Sequence, residues 1–102
     1  MFETGVFKII GVTKAAIIPD RYIAPGAKTF TLINYGQTMS PVVVEYSNDL
    51  STWGTADGTS FGSLAATSQA YSYLIDGRPY WRVQGAVGTA GATSYGTWVV
   101  NY

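Results

Sequence analysis

The sequence predicts an all-β protein that folds as a single antiparallel β-sandwich of about seven strands, immunoglobulin-like or jelly-roll in type. Its 102 residues include 12 glycines, 12 threonines, three tryptophans, eight tyrosines and four phenylalanines, and β-branched and aromatic side chains suit a pleated surface. Turn residues separate the short apolar runs at intervals of about eight to twelve positions, which is typical of sandwiches and barrels. No crossover helix, which parallel strands would need, is predicted.

The strands are expected in the following order. The first segment covers about residues 5–18 and is broken near residues 11–14, before turns at Pro19-Asp20 and Pro25-Gly26. Further strands are expected over residues 28–35, 41–47, 69–75, 79–87 and 94–102, with the last two forming a hairpin. Residues 53–64, interrupted by glycine, form either a ragged strand or a long loop. We expect one domain over residues 1–102, in which residues 1–27 supply an assembly arm or the first strands.

Charge and composition exclude several classes of function. The chain has six Lys and Arg against six Asp and Glu, a net charge of zero, whereas duplex nucleic acid is bound by a basic surface. It has no histidine and no cysteine, so thiolate chemistry, the usual zinc sites and histidine general-base catalysis are excluded. Apolar stretches are shorter than the roughly 20 residues of a membrane span, and residues 1–4 do not resemble a signal peptide. We expect no nucleic-acid or membrane partner.

Carboxylates are the remaining candidates for acid–base or metal chemistry. Glu45, Asp49, Asp57 and Asp76 lie at predicted strand ends and turns, where an Asp side chain bonds to its own backbone. Their spacing does not predict the paired carboxylates of a glycosidase. A calcium site built from two of them and loop carbonyls stays open. We therefore predict no enzyme activity, no catalytic residue and no cofactor.

Several predicted strands are apolar on both faces. Residues 6–12, 15–18, 42–44 and 98–100 do not alternate between apolar and polar side chains, as a strand with one solvated face does. Strands of this kind need cover on both sides. Either another subunit or loops of the same chain supply the second cover, and the low charge favours a subunit.

Aromatic residues are concentrated in the last three strands. One set must be core, and a set left exposed would form a platform of the kind on which sugars stack. Asp49 or Arg82 would then hydrogen-bond to hydroxyl groups, and Arg82 could alternatively pair with Glu45. The candidate stacking residues are Trp53, Tyr71, Tyr73, Trp81 and Trp98.

Residues 44–49 together with Trp53 resemble the "EYS-DG-TW" hairpin of discoidin-type domains, which bind carbohydrate and lipid, and of small β-sandwich domains in tailed-phage virion proteins. Leu50 stands where these hairpins usually have glycine. Residues 30–36 followed by 41–44 resemble their strand–"N-x-G"–strand step, and residues 78–83 their "P-x-Y-x-R-V" strand. The resemblance covers about residues 28–102, and the length suits the small virion domains better than a full discoidin domain.

This resemblance implies a non-enzymatic virion protein, and we expect a capsid decoration subunit that binds the major capsid protein and stabilises the lattice. It would act as a homo-oligomer, with a trimer as the simplest closed form. The alternative is a carbohydrate-binding module that takes a glycan on exposed aromatic residues. The expected assembly interface comprises Phe2, Val6, Phe7, Ile9, Ile10, Ile17, Ile18 and Tyr22.

Overall fold

The structure, a computed structural model, describes residues 2–22, 29–55, 63–73 and 78–101, without the side chains of residues 20–22 and 70–73. Seven strands and no helix occur within these ranges. The strands are β1 (Phe2–Ile10), β2 (Ala15–Tyr22), β3 (Thr29–Asn34), β4 (Met39–Ser47), β5 (Gln69–Tyr73), β6 (Tyr80–Val87) and β7 (Thr93–Asn101). The predicted all-β class is confirmed. Among these residues there is no helical segment with the length and hydropathy of a bilayer span.

The strands form two antiparallel sheets. One has the order β1-β7-β3-β5 and the other β2-β6-β4, so that each strand lies in the opposite sheet from the strand before it. This alternation is the jelly-roll arrangement. An immunoglobulin sandwich instead keeps several consecutive strands together in one sheet.

The predicted hairpin of the last two strands is wrong. β6 pairs with β2 and β4, whereas β7 pairs with β1 and β3. The short connection from Gly88 to Ala92 carries the chain across the roughly 10 Å between packed sheets. Both strands are therefore central strands with a partner on each side, which a terminal hairpin would not provide.

The predicted break near residues 11–14 is confirmed. Gly11 has a φ of 71°, a left-handed conformation that glycine adopts without steric cost. Its amide donates to the Ala92 carbonyl at 2.8 Å, and its carbonyl accepts from the Val87 amide at 2.8 Å. These bonds hold the β1–β2 turn against the β6–β7 connection.

Residues 53–64, which are expected to form a ragged strand or a loop, contact β4 near both of their ends. Gly54 bridges to Tyr46 and Leu64 bridges to Met39, both antiparallel. Residues 56–62 lie outside the described part of the chain. The choice between strand and loop for this stretch therefore stays a prediction.

The core lies between the two sheets and is filled by the inward side chains of every second position. Trp81 on β6 stacks on Phe30 on β3, with ring centroids 5.6 Å apart and planes 26° from parallel. The described core comprises Phe7, Ile9, Ile17, Ile18, Phe30, Leu32, Met39, Val42, Val44, Tyr46, Leu64, Trp81, Val83, Val87, Trp98 and Val100.

Most of the apolar runs do alternate in the structure. In β1, Phe7 and Ile9 point inward while Val6 and Ile10 are exposed. In β2 the adjacent Ile17 and Ile18 are both buried, because the pairing register with β6 shifts on either side of Ile18. A bulge of this kind turns two successive side chains to the same side.

A buried polar network fixes the loops at one end of the sandwich. The Asn34 carboxamide nitrogen donates to the Gln37 and Ala65 carbonyls at 2.8 and 3.1 Å. Its oxygen accepts from the Ser94 hydroxyl at 2.6 Å and from the Gly36 amide at 3.0 Å. One buried side chain thus links three chain segments, and its hydrogen-bonding groups are satisfied as burial requires.

Candidate functional site

The outward side of the four-stranded sheet carries most of the exposed large apolar side chains that the structure describes. Phe2, Val6 and Ile10 on β1 are 67, 80 and 59% exposed. Tyr95 on β7 and Tyr35, which directly follows β3, are 54 and 50% exposed, and their rings lie 6.4 Å apart. We call this side the outer face; its members on β1, β7 and the end of β3 are Phe2, Thr4, Val6, Lys8, Ile10, Tyr35, Thr93, Tyr95, Thr97, Val99 and Asn101.

The outer face has very little charge. Among the described outward positions of β1, β7 and β3, Lys8 is the one ionised side chain. The sheet consists of two strands of nine residues and strands of six and five residues. Spaced about 4.8 Å apart, they cover roughly 450 Å² before side-chain relief is counted. A standard protein interface buries about 800 Å² on each partner. The face is therefore somewhat more than half the size of one side of a standard interface.

The outward side of the three-stranded sheet is different. Glu45 on β4 and Arg82 on β6 are cross-strand neighbours, and the Arg82 Nε lies 3.0 Å from a Glu45 carboxylate oxygen. The Lys14 ammonium lies 3.9 Å from the other oxygen. The Trp53 indole covers this pair, with the Arg82 guanidinium 4.0 Å from its ring centroid. The predicted pairing of Arg82 with Glu45 is confirmed.

The turn after β4 is organised by Asp49. Its Oδ1 accepts hydrogen bonds from the amides of Thr52 and Ser51, at 2.8 and 2.9 Å, and from the Ser47 hydroxyl at 3.0 Å. These three bonds, the one from Thr52 first, hold the pKa of the carboxyl below its ordinary value of 3.8, because they stabilise its charged form. The predicted Asp turn is confirmed.

Leu50 occupies the position where the resembling hairpins have glycine, and its φ is 64°. This is the left-handed conformation for which glycine is preferred. The turn therefore keeps the backbone geometry of a glycine turn while carrying a leucine.

A small pocket lies beside this turn. Its volume is about 190 Å³, and it is lined by Asn48, Asp49, Thr52, Trp53, Gly54 and Arg78. The Arg78 guanidinium lies over the Tyr46 ring, 5.6 Å from its centroid. We call this the Trp53 pocket. It brings together an indole, a carboxylate, a carboxamide and a guanidinium group.

The structure divides the predicted assembly residues. Phe2, Val6 and Ile10 lie on the outer face, as an interface requires. The placement of four others on an exposed interface is wrong, because β-alternation and the β2 bulge turn them into the core; they are Phe7, Ile9, Ile17 and Ile18. The side chain of Tyr22 lies outside the described residues.

The predicted stacking residues are divided in the same way. Trp81 and Trp98 are buried between the sheets, so their assignment to an exposed platform is wrong. The side chains of Tyr71 and Tyr73 lie outside the described part. Trp53 is the remaining candidate stacking residue, and it lines a pocket.

Sequence reasoning missed two features of these surfaces. The sequence places Tyr35 at the end of a strand, and only its contact with Tyr95 shows that it extends the outer face. Arg78 was noted only as part of a strand pattern, and it lines the Trp53 pocket. In both cases the missing information was which strands are neighbours, because period-two alternation assigns a side but not a partner.

For metals, the described residues contain no group of three His, Cys, Asp or Glu that could hold an ion. Asp57 and Asp76, which belonged to the open calcium hypothesis, lie outside the described ranges.

No protein-family model matches the chain, and no curated protein sequence matches it. Solved structures do match. The crystal structure of PirA is 13% identical with a TM-score of 0.60, over 97% of this chain and 92% of that one. A subunit of Bacillus endospore appendages, described as disulfide-linked pili, is 20% identical with a TM-score of 0.58, over 100% and 86%. The SPBc2 prophage-derived protein YomS is 11% identical with a TM-score of 0.55, over 99% and 96%.

At these identities the similarity establishes the fold and nothing further. Each match covers nearly the whole of both chains, so the sandwich of this chain corresponds to a nearly complete chain in the solved structures.

Proposed function

We propose that the chain is a non-enzymatic structural subunit of an extracellular or virion-type assembly, and most specifically a capsid decoration subunit of a tailed phage. The observation that carries this proposal is the outer face, with Phe2, Val6 and Ile10 exposed beside a single lysine. Monomeric proteins rarely expose contiguous apolar patches larger than a few hundred Å². The outer face covers roughly 450 Å² and its exposed large side chains are apolar, so an assembly that buries it would remove them from water.

The partner proposed for the outer face is a second copy of the chain. The net charge is zero, so copies do not repel one another. The face supplies somewhat more than half of the roughly 800 Å² that each partner buries in a standard interface. A closed oligomer, a trimer in the simplest case, would hide the patches and stop further association.

The structural neighbours support an assembly role by their own descriptions. One is prophage-derived and another belongs to an appendage whose subunits are linked by disulfides. This chain has no cysteine, so such a cross-link is not open to it. Its contacts would be non-covalent, and the apolar outer face supplies the driving force for them.

The major capsid protein is the proposed partner of the oligomer. Decoration of a repeating lattice does not need a strong single contact, because several subunits held in one oligomer bind with a high effective concentration. Stabilisation of the lattice follows from binding the assembled form and not the separated subunits.

Light scattering on a sizing column tests self-association. The wild type, run at two concentrations, is expected to give a discrete oligomer, and Val6→Lys is expected to give the monomer mass of 10.9 kDa. Leu50→Lys, which changes an exposed leucine away from the outer face, should leave the oligomer unchanged. If Val6→Lys and the wild type have equal masses, the outer face is not the interface.

Binding to phage heads tests the capsid assignment. The wild type should sediment with purified heads of the tailed phage that encodes it and raise their disruption temperature, and Val6→Lys should do neither. If the wild type is oligomeric but does not bind to heads, the decoration role is overturned. The chain would then be a subunit of a different assembly.

A further inference from the structure

We propose that the Trp53 pocket binds a single pyranose ring of a glycan. This inference is independent of the assembly function, since it uses a different surface. Trp53 and its neighbours lie on the side of the three-stranded sheet, and the outer face belongs to the four-stranded sheet. An assembly formed through the outer face would leave the pocket open.

The aromatic wall is the first part of the argument. The Trp53 indole is only partly buried and lines the pocket, while the Arg82 guanidinium packs against its ring at 4.0 Å. Arg82 is itself held by Glu45 at 3.0 Å, so the indole rests on a fixed support. A supported indole presents an apolar surface with a negative π-face, which suits the C–H side of a sugar ring.

The polar wall carries both signs of charge. Asp49 offers a carboxylate and Arg78 a guanidinium, and the carboxamide of Asn48 both donates and accepts. Within the described part of the chain, the hydrogen bonds to Asp49 all go to Oδ1, so Oδ2 keeps its acceptor capacity. An anionic ligand would be repelled by the Asp49 carboxylate, and a cationic ligand would be repelled by the Arg78 guanidinium. Neutral vicinal hydroxyls, which donate to one group and accept from the other, satisfy both.

The geometry of the turn prepares the site in advance. The Ser51 and Thr52 amides and the Ser47 hydroxyl fix the Asp49 side chain by hydrogen bonds. Two backbone hydrogen bonds, at 2.7 and 3.0 Å, join Gly54 to Tyr46 of β4. Trp53 lies between these two fixed points. Groups that are held before binding lose little conformational entropy on binding.

The volume limits the ligand to one ring. At about 190 Å³ the pocket is smaller than the roughly 300–1,000 Å³ of sites for drug-sized molecules. It therefore fits one monosaccharide unit, or the terminal unit of a longer glycan whose remainder lies in solvent.

Amide chemical-shift titration of the isotope-labelled full chain tests the proposal. The probes are glucose, galactose, mannose, rhamnose and N-acetylglucosamine at millimolar concentration, followed by a glycan array. At least one sugar is expected to shift the amides of residues 48–54 and 78. Trp53→Ala should weaken that binding at least about tenfold, and Asp49→Asn about tenfold.

The control variant is Val6→Thr on the outer face, which should bind the sugar as the wild type does. If Trp53→Ala does not fold, Asp49→Asn decides, because it preserves the shape of the turn. Absence of shifts with every sugar and every array glycan overturns the proposal, as does binding that is unchanged in Asp49→Asn and Trp53→Ala. Neither of these two results bears on assembly. Assembly is measured separately, as the molar mass of the folded variants by light scattering.

Discussion

The outward sides of the two antiparallel sheets differ in their charge and in how far their side chains are covered. On the three-stranded sheet, Glu45 and Arg82 form an ion pair at 3.0 Å that Trp53 covers. On the four-stranded sheet, Val6 and Ile10 stand exposed beside residues with almost no charge. One side is covered by side chains of its own chain, and the other leaves large apolar side chains exposed.

This difference shows where the chain places its few charged groups. Among the side chains that the structure describes, most charged groups lie around the Arg82–Glu45 pair and the Trp53 pocket, and Lys8 is the one on the outer face. Charged groups are depleted at the cores of interfaces for the same reason, since desolvating them costs free energy.

The largest effect is expected at Gly96 in β7, beneath the outer face. A Cβ there would collide with the Ile33 carbonyl oxygen and lie 2.7 Å from the Phe7 ring. Gly96→Ala should lower the free energy of unfolding by about 3 kcal/mol or prevent folding. Urea denaturation measures it, with Gly88→Ala, where a Cβ meets open space, as the control within about 0.5 kcal/mol of wild type. Similar values for both variants would show that β7 can move away from β3.

The ion pair on the covered side should come next. The Arg82 and Glu45 side chains are 20 and 12% exposed, and Lys14 is 44% exposed. Arg82→Met should cost about 2 kcal/mol, because it leaves a partly buried carboxylate without its main partner. Lys14→Met should cost less than about 0.5 kcal/mol. Equal losses in thermal or urea denaturation would contradict the assignment of the Arg82 pair as the stabilising one.

A smaller effect of opposite sign is expected at Leu50. Its φ of 64° is unfavourable for a side chain, so Leu50→Gly should raise the free energy of unfolding by about 0.5–1 kcal/mol. Gly91, with a φ of 77° and no heavy atom near its Cβ position, is the converse control, and Gly91→Ala should destabilise. A loss of stability in Leu50→Gly would mean that the leucine side chain contributes more than its backbone costs.

The smallest effect concerns acid stability. Hydrogen bonds lower the folded pKa of Asp49 below its ordinary 3.8, so its contribution is complete above that value and is lost as the pH falls through the lowered folded pKa. The stability difference between wild type and Asp49→Asn should therefore narrow below about pH 4. Urea midpoints for both proteins across pH 3–6 measure this narrowing. A difference that is constant across the range would show that the carboxylate charge does not contribute.

The sequence predicted the strands well because the signals for them are local. Turn residues bracket the apolar runs, and β4, β6 and β7 begin and end within two residues of their expected bounds. The Asp49 turn was predictable for the same reason, since its hydrogen bonds reach only three residues along the chain. Local chemistry does not specify which strands pair, and the expected terminal hairpin failed on that point.

The candidate site was predicted only in part. Trp53 and Asp49 were singled out, whereas Trp81 and Trp98 looked equally suitable until packing placed them between the sheets. The sequence likewise groups Phe7 and Ile9 with Val6 and Ile10, although successive residues of one strand face opposite sides. Composition shows how much apolar surface a chain has but not which part of it remains outside.

The sequence by itself determined an all-β chain, its strand bounds, its turns and its lack of histidine and cysteine chemistry, because these depend on residue type and short-range spacing. The tertiary structure decided the jelly-roll pairing, the burial of Ile17 and Ile18 together at a bulge, and the contrast between the two outer faces. The physical reason is that pairing and burial join residues far apart in the chain. Such contacts are selected by the packing of the whole core and not by any one segment.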